Sequence, residues 1–235
     1  MPVRLVFFFL LIISDKAGTT AVLIQEPDML SFVANIQEKS LKKELYRKAI
    51  HISSLWIPLF IHMFSRKESL LVLGILFCIN LSAEYFCYKK IAWIRYFYEK
   101  LLIKTLRGKE IRKNRFVPSG SVYVLAAAFS CVFLFTKEIA AAALSVMLVS
   151  DACAAVFGKM FGSRKIHGSK TLEGTIMFFI SALSVMMLYN PASALSFAGM
   201  AACCAATLCE LYDDKIKIDD NFSVPLVVGT IMTYA

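Results

Sequence analysis

A carboxylate inside an apolar segment is the feature of this sequence that most clearly predicts chemistry. Asp151 lies near the end of a hydrophobic run, and small residues follow it at Ala152, Ala154, Ala155, Gly158 and Gly162. Because an ionisable group within a membrane span costs free energy, such a group indicates a functional site. The small residues would let a backbone or a ligand approach closely.

The loop after this segment combines cations, a hydroxyl group and a second carboxylate around a glycine-bearing turn. It reads Lys165-Ile-His167-Gly168-Ser169-Lys170-Thr171-Leu172-Glu173-Gly174. The P-loop pattern is not met. The lysines nevertheless offer cationic donors, and Asp151 and Glu173 offer hard carboxylate oxygens. A triphosphate and its divalent cation need both kinds of group.

A second cluster, Glu44-x-x-Arg47-Lys48-x-x-His51, precedes the first long apolar run. Spacings of three and four residues put these side chains on one face of a helix. Arg47 and Lys48 could bind phosphate oxygens, the first as a fork and the second as a point charge. His51 could carry a proton or orient a substrate hydroxyl. The alternative is a basic helix flank that extends to the membrane surface, with an incidental histidine.

The segment 115–120 reads Arg-Phe-Val-Pro-Ser-Gly and predicts a turn at the start of a helix. Backbone N–H groups at such a start, here around Gly120, can bind an anion. An ordinary helix start is the alternative interpretation, because proline and glycine are common there.

A further group of carboxylates lies near the end of the chain. Glu210 is followed by the run Asp219-Asp220-Asn221, and then by Pro225 within the last apolar segment. Two adjacent carboxylates and an amide form a plausible site for a hard metal ion. A solvated turn or a helix cap is the alternative.

Apolar segments must position all these residues. Of the 235 residues, 58% are hydrophobic and 18% charged, and a soluble domain of this size cannot bury so much apolar surface. The sequence predicts an all-α, polytopic membrane helix bundle. Its seven predicted spans are 49–64, 69–88, 119–136, 138–157, 175–190, 193–210 and 223–235. The segment 91–106 predicts an amphipathic helix that either lies in the membrane interface or caps the bundle.

The distribution of charge supports this count of spans. With seven spans, the loops rich in lysine and arginine all fall on one side, and the other side has only Arg66, Lys67 and Lys137. The positive-inside rule makes the basic side cytoplasmic. Because the net charge of +9 flanks apolar segments, anionic lipid headgroups and phosphorylated substrates are better partners than nucleic acid.

The sequence predicts one membrane-embedded catalytic domain, residues 44–235. Residues 1–43 are compatible with a signal peptide, an extra half-span or a misplaced start codon. A chain of this length leaves no room for a second soluble domain. The oligomeric state does not follow from the sequence.

In the order of these motifs, the chain resembles the CTP-dependent lipid kinases, which include dolichol, phytol and diacylglycerol kinases. The matching pieces are Glu44-x-x-Arg47-Lys48-x-x-His51, Ser119-Gly120, Asp151-Ala-x-Ala-Ala with Gly158 and Gly162, Lys170-Thr-x-Glu173-Gly174, and Glu210 with Asp219-Asp220-Asn221-x-x-x-Pro225. Relatives often have Thr-Gly where this chain has Ser119-Gly120, so the hydroxyl group is kept.

The resemblance implies CTP as phosphoryl donor, a membrane lipid alcohol as acceptor and Mg²⁺ or another hard divalent cation. The implied nucleotide-binding residues are Arg47, Lys48, Gly120, Lys165, Lys170, Thr171, Gly174 and Asn221. The implied metal ligands are Asp151, Glu173, Asp219 and Asp220. Catalysis would use Asp151, Lys170, Glu173 and His51, with His51 or Asp151 accepting the hydroxyl proton.

Two other functions stay open at this point. Phosphatidate cytidylyltransferases share Asp151 and Lys170-Thr-x-Glu173-Gly174, but this chain lacks the Lys-Arg, Lys-Asp and His-Gly-Gly run that ends their signature. A transporter would place its polar groups near the bilayer midplane. Here they cluster at one face, so transport is the less favoured interpretation.

Overall fold

The structure is a computed structural model, and it describes residues 44–89, 116, 118–216 and 218–234. The described chain is mostly helical. Its elements, in chain order, are α1 (44–53), α2 (Trp56–Met63), α3 (Arg66–Tyr88), α4 (Gly120–Leu134), α5 (Lys137–Met160), β1 (Lys165–His167), β2 (Lys170–Thr171), α6 (Leu172–Tyr189), α7 (Pro191–Leu195), α8 (Phe197–Leu211), α9 (Asp213–Ile216) and α10 (Asp220–Tyr234).

Within the described residues, α3, α5 and α6 are each long and apolar enough to cross a membrane, and α4 and α8 are shorter apolar helices. These helices indicate a membrane protein, and the count of seven spans stays a prediction. The predicted amphipathic helix at 91–106 and the residue Arg115 lie outside the described residues, as does the N-terminal segment 1–43.

The predicted span 49–64 is two helices rather than one. The chain turns at Ser54 and Leu55, between α1 and α2. Pro58 explains the break, because proline has no N–H to donate and its ring clashes with the carbonyl four residues earlier, here that of Ser54.

The segment between α5 and α6 adds a small β-hairpin to the predicted all-α fold. Strands β1 and β2 pair antiparallel, with His167 opposite Lys170. Gly168, in the two-residue turn, has φ +53°, a backbone conformation that hairpin turns require and that glycine adopts at low cost. The sequence predicts the turn but not the strands, since they are three and two residues long.

Helix α5 forms the centre of the core, and its residues from Ala140 to Leu148 are buried. Its C-terminal half lies close against α6 because both helices have glycine at the contact. A Cβ atom on Gly174 would lie 2.9 Å from the carbonyl oxygen of Ala154, and one on Gly158 would lie 3.0 Å from Thr171 Oγ1. The small residues after Asp151 therefore let two backbones approach.

The outer face of α3 is apolar. Leu71, Ile75 and Ile79 repeat every four residues along this helix, and all three side chains are more than half exposed. A soluble protein would bury such a stripe, whereas lipid chains would cover it in a bilayer.

Candidate active site

A cavity of about 350 Å³ lies among α1, α5, α6, α8 and α10, beside the hairpin. Its walls come from the C-terminal parts of α5 and α8 and from the N-terminal parts of α6 and α10. Antiparallel helices bring such opposite ends together at one end of a bundle. Residues that are far apart in the sequence thus meet in one polar cavity.

Three buried carboxylates meet at this cavity. Asp151 of α5, Glu210 of α8 and Asp220 of α10 each offer an oxygen, and these oxygens lie within 4.8 Å of one another. Only 4–6% of the surface of each residue is exposed. Like charges this close repel strongly in a poorly solvated site, so the cluster requires cations nearby. We call these residues the carboxylate cluster.

Two lysines supply positive charge to the carboxylate cluster. The buried Lys48 of α1 donates a hydrogen bond from Nζ to Asp151 Oδ2, and Lys170 of β2 donates one to Glu210 Oε1. Burial lowers the pKa of Lys170, but the carboxylates of Glu210, Asp220 and Asp213 outweigh that effect and raise its pKa overall. If all are ionised, three carboxylates and two lysines leave one negative charge.

The carboxylate cluster fits a hard divalent cation. Carboxylate oxygens are the ligands that Mg²⁺ and Ca²⁺ prefer, and a cation between neighbouring carboxylates relieves their mutual repulsion. Glu210 also has a buried oxygen, Oε2, that receives no hydrogen bond from any part of the chain that the structure describes. A buried, unpaired carboxylate oxygen is costly, and a bound cation would remove that cost.

His51 lies on the same side of α1 as Lys48 and contacts the same carboxylate. Its Nε2 atom is 3.3 Å from Asp151 Oδ2. The spacing of three residues puts Lys48 and His51 on one face of α1, as the sequence predicts, and the structure brings both side chains to Asp151. An imidazole beside a carboxylate is suited to accept or donate a proton.

Charged residues at the start of α1 line another part of the cavity. Arg47 Nη2 lies 2.5 Å from Glu44 Oε1, and Lys159 Nζ lies 3.7 Å from Glu44 Oε2. Two cations thus share one carboxylate. An incoming anion would find positive charge on this side of the cavity.

Two of the residues implied by the resemblance, Glu173 and Lys165, lie apart from the carboxylate cluster. The Glu173 side chain accepts hydrogen bonds from Ser163 Oγ (2.6 Å) and from the backbone N–H of Arg164 (3.4 Å). Lys165 is exposed on β1. In contrast, Thr171 and Gly174 do line the cavity, where Thr171 Oγ1 accepts from the Gly174 N–H and caps α6.

Asp219 and Asn221 bond to each other beside the cluster. Asp219 Oδ1 accepts from the backbone N–H and the Nδ2 group of Asn221, at the start of α10. This arrangement caps the start of α10. Of the two adjacent aspartates, Asp220 is the one that belongs to the carboxylate cluster. Gly120 is a neighbour of Asn221, because a Cβ there would lie 3.5 Å from Asn221 Nδ2.

Two buried carboxylates were not assigned a role from the sequence. Glu210 completes the cluster, and Glu84 at the end of α3 accepts hydrogen bonds from the backbone N–H (2.9 Å) and the hydroxyl of Ser119. Both lie in apolar segments. Glu210 is already named among the C-terminal carboxylates of the sequence, and the argument that singled out Asp151, the cost of a carboxylate in a membrane span, could have found Glu84 as well.

Comparison with known proteins gives three informative relatives. The uncharacterized protein RP860 of Rickettsia prowazekii is 31% identical over 189 residues, which cover 78% of this chain and 90% of the relative. A probable chloroplastic phytol kinase of Zea mays is 27% identical over 238 residues, covering 92% of this chain and 75% of the relative. The chloroplastic phytol kinase 1 of Arabidopsis thaliana is 32% identical over 141 residues, covering 54% and 46%.

No family model matches the chain, and neither does any solved structure. The two relatives named as phytol kinases support a lipid kinase family.

Proposed function

We propose that this chain, which belongs to the same family as the Rickettsia prowazekii protein RP860, is a CTP-dependent kinase of a membrane lipid alcohol. The names of the two plant homologues support phosphoryl transfer to a lipid hydroxyl. In this reaction the hydroxyl oxygen bonds to the γ-phosphorus of CTP while the bond to the β–γ bridging oxygen breaks. The hydroxyl proton goes to a base, and CDP leaves.

One observation carries the proposal: three buried carboxylates meet two lysines, the buried Lys48 and the partly exposed Lys170, at the end of apolar helices. Ionised groups in such a place are costly and rarely stabilise a fold, so they point to function. Phosphoryl transfer needs this combination, because lysines neutralise phosphate oxygens while carboxylates hold the accompanying cation. The CTP donor rests on the motifs that the chain shares with CTP-dependent lipid kinases.

Asp151, Glu210 and Asp220 would hold Mg²⁺ or another hard divalent cation, which when bound neutralises charge on the phosphates. Lys170, which lines the cavity from the hairpin, would bind phosphate oxygens after releasing Glu210. Lys48 would stay paired with Asp151 and hold its side chain in place.

His51 is the better candidate for the base that accepts the hydroxyl proton. Asp151 already accepts a hydrogen bond from the Lys48 ammonium group and belongs to the carboxylate cluster, so its oxygens are engaged by other groups. The His51 imidazole contacts Asp151, which would stabilise the imidazolium ion after proton transfer. Asp151 would thus hold the cation and orient the base.

The lipid acceptor would reach the cavity from the bilayer. The cavity has an apolar part, formed by Phe178 and Leu211, next to its charged part. A lipid alcohol has the same division, with one hydroxyl group on a long apolar chain. Phytol is the first acceptor to test because of the names of the plant homologues, followed by dolichol or polyprenol and diacylglycerol. The basic loops favour a site that faces the cytoplasm.

The direct test uses purified protein in detergent with γ-labelled CTP, Mg²⁺ and a panel of lipid alcohols, with phosphatidate as a separate acceptor. We expect label in a lipid alcohol, together with CDP. Release of pyrophosphate with phosphatidate alone would instead identify a cytidylyltransferase. A folded protein that transfers label to no acceptor would contradict the proposal.

Two matched variants of α5 sharpen this test. Asp151→Asn removes a carboxylate of the cluster at one end of the helix, and we expect it to abolish transfer. Glu138→Gln removes an exposed carboxylate at the other end of the same helix, and we expect normal turnover. Normal turnover of a folded Asp151→Asn protein would remove Asp151 from the proposed cation site.

A further inference from the structure

The hairpin between α5 and α6 is attached to the neighbouring helix α9 by a histidine and an aspartate. His167 Nε2 lies 2.9 Å from Asp214 Oδ1 and 3.1 Å from Asp214 Oδ2. The His167 ring also packs against the Tyr212 ring, with 5.2 Å between the ring centres. The side chains of His167 and Asp214 are 25% and 53% exposed, so the pair lies at the protein surface.

The same hairpin has a second attachment, inside the cavity. Lys170 lies directly opposite His167 across the two strands and donates a hydrogen bond to Glu210. Glu210 and Asp214 are four positions apart, at the end of α8 and in α9. One strand is thus held at the surface and the other in the cavity, and both bond to the same short stretch of chain.

We propose that His167 and Asp214 are positioning residues, which hold the hairpin so that Lys170 stays in the cavity. A hairpin with strands of three and two residues is not stable by itself in water. Its turn, at Gly168 and Ser169, adds little rigidity. Without the pair at the surface, the bond between Lys170 and Glu210 and the ring contact with Tyr212 would be left to hold the end of the hairpin against α8 and α9.

This second bond is the one that substrate binding would break. If Lys170 moves to a phosphate group and releases Glu210, the hairpin needs another contact with the stretch from α8 to α9 to stay in place. The pair of His167 and Asp214 provides that contact without entering the cavity. This consequence for nucleotide binding rests on the proposed function, whereas the effect on the position of Lys170 does not.

The electrostatics of Asp214 agree with a stable contact. The hydrogen bond from His167 lowers the pKa of the Asp214 carboxyl group, although partial burial opposes this shift. The carboxylate is therefore the form that bonds to His167. Neither residue is among those assigned to the candidate site from the sequence.

The first test measures how fast an acylating reagent modifies Lys170 in the purified protein, by mass spectrometry. The test variants are Asp214→Asn and His167→Phe, and the second keeps an aromatic ring beside Tyr212. The control is Lys215→Gln, which removes a charge next to Asp214 but leaves the pair intact. We expect Lys170 to react about two- to fivefold faster in the first two variants, as an exposed ion pair implies. Lys215→Gln should react like the unaltered protein.

A charge exchange tests the pair itself. The double variant His167→Asp/Asp214→His places the same two groups in reversed positions, and we expect Lys170 to return toward its original rate. Because both side chains are at the surface, the variants should stay folded, which size-exclusion chromatography would check. Unchanged labelling in both single variants would overturn the inference.

The second test measures the kinetics of the same variants. A positioning role predicts that KM for CTP rises about two- to fivefold while kcat stays near its original value, because Lys170 still completes the site once the nucleotide is bound. An active enzyme with unchanged KM would contradict the role in nucleotide binding. An inactive unaltered protein would instead refute the proposed function, and the labelling experiment alone would then decide the inference.

Discussion

Replacing Lys48 by methionine tests the buried ion pair on which the site depends. Methionine keeps most of the side-chain volume but removes the ammonium group that faces Asp151. Asp151 would then be buried beside Glu210 and Asp220 without its ammonium partner. The His51 imidazole would still face Asp151. Removing one partner of a buried pair costs about 3–5 kcal/mol in the free energy of unfolding. For a chain of this length, that corresponds to a decrease in Tm of about 6–20 °C.

A second substitution separates stability from activity. In Lys48→Met/Asp151→Asn the unpaired charge is gone, so we expect more than half of the lost Tm to return. Phosphoryl transfer should stay absent in the double variant, because the proposed cation site has lost a carboxylate. Recovery of stability without recovery of activity would be specific to an ion pair within a catalytic site.

The assay follows the folded protein in detergent during heating, by size-exclusion chromatography. Lys67→Met, at an exposed position at the start of α3, is the control for loss of a lysine. If Lys48→Met has the same Tm as the Lys67→Met control, a buried pair between Lys48 and Asp151 is refuted. An active double variant would refute the assignment of Asp151 to the cation.

Three further substitutions give measurable outcomes. Glu210→Gln should weaken divalent-cation binding at least about tenfold in a titration of Mg²⁺-dependent activity, and an unchanged titration would exclude Glu210 as a ligand. Gly162→Ala should lower the free energy of unfolding by about 1–3 kcal/mol in thermal unfolding, because its Cβ would lie 2.0 Å from the Gly158 carbonyl oxygen. Because the pKa of Asp214 is lowered by its hydrogen bond to His167, its stabilising effect should persist above the pKa of a free aspartate. This stabilisation should vanish as pH falls through the lowered pKa of Asp214. In that pH range, protection of the hairpin amides from hydrogen exchange should decrease in the unaltered protein but stay constant in Asp214→Asn.

The apolar helices and the position of Asp151 within one of them could be predicted because both depend on local features of the sequence. An apolar run long enough to span a bilayer is visible in the residues themselves, and so is a carboxylate within that run. The spacing of Lys48 and His51 also fixes their common helical face, whatever the rest of the fold does. The break before Pro58 is also a local feature, because the proline itself disrupts the preceding helical turn.

The partners of these residues could not be predicted in the same way. Lys48 lies 103 positions before Asp151, and several lysines and carboxylates at other helix ends were equally plausible partners. The resemblance to CTP-dependent lipid kinases implies Glu173 as a metal ligand, since it is a carboxylate within the shared motif Lys170-Thr-x-Glu173-Gly174. In the structure Glu173 bonds to Ser163 instead, at the first turn of α6.

The sequence by itself thus determined that the chain forms apolar helices with charged groups at their ends, because hydrophobicity and the cost of a buried charge are properties of short segments. The tertiary structure decided which charged groups meet. Antiparallel packing brings Asp151, Glu210 and Asp220 to one cavity, and the hairpin adds Lys170 from the side. Attraction between charges depends on their distance in space, and for residues on different helices that distance is set by packing rather than by sequence separation.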